Sequence, residues 1–135
     1  MNTNRANYRH PQEQGILEAE RQIAMDTSFN TMINRTTSLN EDQARRIHEE
    51  WMRNNIPQGA TALRIGYQNR IDSYINEARL HNERTFSEIL NEAVSLYHEE
   101  QTRGICEEWI QENVPRELQE KYSDRMEKHF SENYW

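Results

Sequence analysis

A single cysteine, Cys106, stands among 135 residues. One thiol can form no intrachain disulfide and no cysteine-rich zinc site, which fits a reducing compartment. Glycine is almost as scarce, at Gly15, Gly59, Gly66 and Gly104, and none of the four builds the glycine-rich loop that cradles a phosphate. No apolar run approaches the ~18 residues that span a bilayer. Residues 1–10 lack the apolar stretch of a secretory signal. The expected location is cytoplasmic, or outside the cell as an effector exported without a cleavable signal, and no membrane partner is expected.

Core material is also thin. Leu, Ile, Val and Phe together supply 23 residues, or 17%, under the ~20% at which a highly charged chain risks disorder. Three Trp, six Tyr and only three Pro argue for a folded chain. A folded chain with a thin core is completed by self-association or by a protein partner. Lysine is nearly absent: Lys121 and Lys128 stand beside 14 Arg, a side chain whose planar fork suits interfaces.

The net charge of −7 is unevenly placed. Residues 1–67 carry eight basic and eight acidic side chains, whereas 68–135 carry eight and fifteen. An acidic half disfavours a phosphate backbone, so nucleic acid is not an expected partner; the charge suits a basic protein partner or serves only to keep the chain in solution.

Two stretches repeat. Residues 47–57 and 105–115 agree at six of eleven positions: Ile47/Ile105, Glu49/Glu107, Glu50/Glu108, Trp51/Trp109, Asn55/Asn113 and Pro57/Pro115. Upstream the match continues through Phe29/Phe86 and Ser38-Leu39/Ser95-Leu96 with one residue inserted near 97–98. Duplicated helical units bury what each neighbour leaves open.

Apolar spacing at three and four residues recurs along the chain. Residues 1–11 read as a flexible arm. Ile16, Ile23 and Ala24, with Leu17 beside them, mark a helix over 12–25 that Asp26, Thr27 and Ser28 interrupt. Phe29, Met32, Ile33 and Thr36 mark a second. Asn40 with Gln43 caps a third over about 41–55, stopped by Pro57. Residues 60–67 alternate like a strand but read as a linker or an early helical turn. A fourth helix covers about 68–82. Thr85 with Glu88 caps a fifth, which can run on through 99–113. Leu118, Tyr122, Met126 and Phe130 define a last helix over about 116–131. The expected fold is all-α: a compact bundle of about six or seven short helices. It divides into unit 1 (12–57), unit 2 (58–115) and a C-terminal helix with an aromatic tail (116–135). Trp51 and Trp109 anchor the two cores.

Chemistry-bearing motifs are missing. The five histidines form no HExxH, no His pair four apart and no Glu-x-x-His. His48 and Cys106 occupy equivalent repeat positions, but two ligands do not make a metal site. No oxyanion-hole or glycine-rich element accompanies Cys106. No catalytic residue, cofactor, metal or small-molecule substrate is expected.

Ala62-Leu63-Arg64-Ile65, the helix through Ala78, and the run from Arg84 to Ala93 resemble a ribbon–helix–helix DNA-binding module over about a quarter of the chain. The resemblance implies a dimer whose paired strands enter the major groove, with Arg64 reading bases. Trp51, Pro57 and Gly59 followed by Arg64 are similar to the helical cap ahead of leucine-rich repeats in some bacterial secreted ubiquitin ligases. The leading expectation is a non-enzymatic helical interaction protein: a regulator, inhibitor or effector. Its partner surface is expected at Glu107, Glu108 and Glu112 or at the aromatic tail, Phe130, Tyr134 and Trp135. The alternatives are the DNA-binding regulator and a structural, self-assembling subunit.

Overall fold

The structure, a computed structural model, describes residues 11–134, with side chains from Gly15 onward. Among them are five helices and no strand: α1 (Pro11–Thr36), α2 (Glu41–Asn55), α3 (Thr61–Leu96), α4 (Glu99–Asn113) and α5 (Arg116–Asn133). Among the described residues no helix is long and apolar enough to cross a membrane. The expected arm falls outside the described residues except for Pro11, which opens α1.

The all-α expectation holds, with fewer and longer helices. α2 matches its expected bounds because its ends are written locally. Asn40 accepts a hydrogen bond from the Gln43 backbone N–H at 2.9 Å, satisfying one free donor of the first turn, and Glu41 and Asp42 favour the positive end of the helix. At the other end the Ile56 N–H bonds the Met52 carbonyl before Pro57. α4 and α5 are separated by the same device, with Val114 N–H on the Ile110 carbonyl ahead of Pro115.

Two expected breaks are absent. α1 runs through Asp26, Thr27 and Ser28, and α3 runs through Thr85 and absorbs residues 61–67. Phase explains why α3 can do so. Ile75 and Phe86 are eleven residues apart, about three turns at 3.6 residues per turn, so one helix presents both to the same side. α1 is different. Ile23 and Met32 are nine residues apart and fall on opposite sides of a continuous helix. Phe29, Met32 and Thr36 are buried, which leaves Ile16 and Ile23 facing outward at 59% and 65% exposure. The stripe expected to bury the first helix is therefore its outer face. Conversely, 85–113 is broken, at Tyr97 and His98.

Two separate cores result. The first gathers Phe29, Met32, Trp51, Met52, Ile56, Tyr67, Ile71 and Ile75 from α1, α2 and the first half of α3. The second gathers Phe86, Leu90, Cys106, Ile110, Val114, Tyr122, Met126 and Phe130 from the rest of α3, α4 and α5. Packing therefore does not divide at Pro57 and Pro115. Each core takes its third helix from beyond the proline, and α3 serves both.

Candidate functional site

Each core is centred on a Phe, a Trp and a Tyr. Phe29, Trp51 and Tyr67 lie 5.0–5.2 Å apart by ring centroids. Phe86, Trp109 and Tyr122 lie 5.0–6.1 Å apart. An arginine covers each trio. Arg70 lies 4.4 Å from the Phe29 ring centre and 5.3 Å from that of Tyr67. Arg125 lies 5.3 Å from that of Phe86 and 5.6 Å from that of Tyr122. A guanidinium over an aromatic face is attracted by the ring's quadrupole. Arg70 also donates to Asn30 Oδ1 (3.1 Å) and Arg125 to Ser87 Oγ (2.7 Å), each residue directly following the core phenylalanine. The Tyr67-Gln68-Asn69-Arg70 and Tyr122-Ser123-Asp124-Arg125 segments carry this arrangement. The shared Tyr-x-x-Arg spacing is visible in the sequence and was the signal to follow.

The polar groups inside the cores differ. In the first, the Thr36 hydroxyl donates to the Ile33 carbonyl at 2.7 Å and lies 3.1 Å from His48 Nε2. With its proton so committed, Thr36 accepts from Nε2–H. That tautomer leaves His48 Nδ1 as a buried acceptor without a hydrogen-bond partner. Burial, and then the charge of Arg45, push His48 below its ordinary pKa, so it sits neutral against Tyr74, 5.6 Å away edge-on. In the second core Cys106 is fully buried. Burial pushes its thiol up to about 11, with Glu107 adding to the effect. It is therefore a thiol at neutral pH, not the thiolate a nucleophile needs. His48 and Cys106 belong to different cores, and no group of three metal-ligating side chains occurs among the described residues.

Of the expected partner residues, Glu107, Glu108 and Glu112 are exposed on α4. That helix carries five glutamates and one basic residue, Arg103. Arg103 is engaged by Glu99 (3.5 Å), Glu107 (3.9 Å) and Glu127 of α5, and lies over Phe130. Its hydrogen bond holds the Glu127 carboxyl below the ordinary range. The aromatic tail behaves otherwise. Phe130 is 2% exposed and belongs to the second core. Tyr134 folds back: its ring meets Phe130 edge-on at 5.3 Å, and its hydroxyl donates to the Tyr97 carbonyl (3.0 Å) and lies 2.7 Å from Thr102 Oγ1. Trp135 lies outside the described residues. Arg64 is exposed on the first turn of α3. The strand that a ribbon–helix–helix module requires is helix here, because Ala60 accepts the Arg64 N–H at 3.0 Å and starts an α-helical ladder.

One feature escaped sequence reasoning altogether. Where the two cores meet, a groove of about 290 Å³ runs between the α1–α2 connection, the middle of α3 and the last turn of α4. Arg79 lies in it, forked onto Glu41 by Nε at 2.6 Å and Nη2 at 2.7 Å. The Glu41 side chain is only 7% exposed. Burial would raise its pKa, but hydrogen bonds from Arg79 and Arg45 outweigh this and hold it below the ordinary value. The partners are 38 residues apart, and no local pattern links them.

No protein-family model, curated protein or solved structure matches this chain.

Proposed function

We propose that this chain is a non-enzymatic helical interaction protein, a regulator, inhibitor or effector, that presents the acidic face of α4 to a basic protein. The observation that carries the reading is the exposure of Glu107, Glu108 and Glu112 on a helix whose one cation is already engaged. Glu108 and Glu112, which form no ion pair among the described residues, attract and orient a basic partner over distances near the Debye length, with Glu107 beside them shared with Arg103. We also take the two cores to be copies of one three-helix unit. The paired Phe, Trp, Tyr and Arg positions support this, and so does the recurrence of Asn55 and Asn113, whose side chains bond the Trp51 and Trp109 carbonyls at 2.9 and 3.0 Å. On that view the α4 face arose by replacing Arg53 and Asn54 of α2 with Gln111 and Glu112.

The test is capture from an extract of the native source at low and high salt, using the native chain and a triple variant, Glu107→Lys, Glu108→Lys and Glu112→Lys. A protein held by the native chain, released by salt and ignored by the folded variant supports the proposal. Equal retention by both sinks it.

The outward Ile16 and Ile23 favour a second reading, self-assembly through α1. Sedimentation equilibrium over a concentration series tests it. A monomer at all concentrations, unchanged by Ile23→Lys, removes that reading.

A further inference from the structure

The two cores are joined in an unusual way. Close helix packing runs α1–α2, α2–α3, α3–α4, α3–α5 and α4–α5. Among the described residues, no hydrogen bond or ion pair links α1 or α2 directly to α4 or α5, and the only side chain bonded to both groups is Arg79. Its guanidinium is forked onto Glu41, the first residue of α2, and its Nη2 also lies 3.4 Å from Glu117, in the first turn of α5. Between Ile75, the last buried residue of the first core, and Phe86, the first of the second, α3 runs about three turns with the groove along its side.

A helix of this length curves gently rather than standing straight, so contacts flanking the three turns of α3 between the cores trim the angle between them. Arg79 stands between two carboxylates that would otherwise repel each other across the junction. The two bonds are unequal. Glu41 is buried, and its charge requires a partner, so the forked contact is the firm end. Glu117 is 67% exposed, and exposed ion pairs are weak, so that end yields first. We propose that Glu41, Arg79 and Glu117 form a charge clasp that sets the angle between the two cores and thereby the width of the groove. Glu112 of α4 and Asn40 ahead of α2 both line that groove. They move apart when the clasp opens at Glu117.

The test uses the full chain with Cys106→Ala and spin labels at Arg46→Cys on α2 and Glu120→Cys on α5, both exposed positions. Pulsed electron resonance reads the distance between them. The otherwise native chain gives one narrow distribution. Arg79→Gln at least doubles its width or shifts it to longer distance, and Glu117→Gln produces a smaller change in the same sense. Arg103→Gln, which removes a surface ion-pair network lying wholly between α4 and α5, leaves it unchanged. An unaltered distribution in folded Arg79→Gln overturns the proposal, as does an equal effect from Arg103→Gln. If Arg79→Gln loses its helical circular dichroism, Glu117→Gln decides, and an unchanged distribution there overturns the clasp.

Discussion

The first and second cores use the same three rings and the same covering arginine, yet they solve the problem of buried polarity in opposite ways. The first buries an imidazole, His48, against Thr36 and leaves one ring nitrogen without a partner. The second buries a thiol, Cys106, at the matching position and moves the hydroxyl to Thr102, which bonds the Ala93 carbonyl at 3.1 Å and meets Tyr134. An unsatisfied buried acceptor costs stability, whereas a thiol behaves as a small hydrophobe. The rings are thus the shared scaffold, and the polar position is where the two cores are free to differ.

The largest effect comes from breaking one scaffold and watching the other. Phe86 is wholly buried, and Phe86→Ala is expected to cost about 3–5 kcal/mol. Hydrogen exchange then shows loss of protection in α4 and α5 before α1 and α2. Simultaneous loss throughout would mean that the cores are one cooperative unit.

Next in size is the response to pH, which separates the cores by sign. His48 is depressed in the fold, so its contribution is present above its ordinary 6.5 and is lost as pH falls through the folded value. Cys106 is raised, so its contribution is present below its ordinary 9.0 and is lost as pH climbs toward about 11. For Cys106 the rise from 9.0 to about 11 corresponds to roughly 2–3 kcal/mol. Acid is expected to loosen α1 and α2 first, and alkali α4 and α5. Amide exchange at pH 5, 7 and 10 measures this, and identical responses of both cores would defeat the comparison.

Tyr134→Phe sharpens it further. The change removes the hydroxyl shared by Thr102 and Tyr97 and is expected to cost about 1 kcal/mol, seen as a lower denaturation midpoint with unchanged slope. No change would show that Thr102 is satisfied by Ala93 alone. The smallest effect is a gain. Gly66 and Gly104 sit within α3 and α4 with open space where a Cβ would stand. Gly66→Ala and Gly104→Ala should each stabilise by about 0.5–1 kcal/mol. A loss at either would reveal a contact missing from the structure described above.

The legible parts of the fold were those written within a few residues. Asn40 with Gln43, and Pro57 and Pro115, mark helix ends that stand where expected. Trp51 and the Tyr122, Met126 and Phe130 series mark buried faces. At the candidate site the acidic face of α4 was legible for the same reason, since neighbouring glutamates share a helix. Phe130 reads both ways in the sequence, as the last member of that buried series and as part of an aromatic tail, and only packing against Tyr134 and Arg103 places it in the core. The Arg79 groove was invisible.

What the sequence determined by itself is therefore the all-α class and the local stops, which rest on spacing along one helix, and the recurrence of Phe, Trp and Pro along the chain, which rests on residue identity. Only the tertiary structure decided that α1 and α3 run unbroken. Asp26 and Ser28 look like caps, but their side chains are taken by distant groups. The Tyr67 hydroxyl donates to Asp26 at 2.6 Å and Arg70 at 3.0 Å, while the Trp51 indole N–H donates to Ser28 at 3.0 Å. A polar side chain can cap a helix or serve a partner some twenty to forty residues away, and which it does depends on what the fold brings within 3 Å.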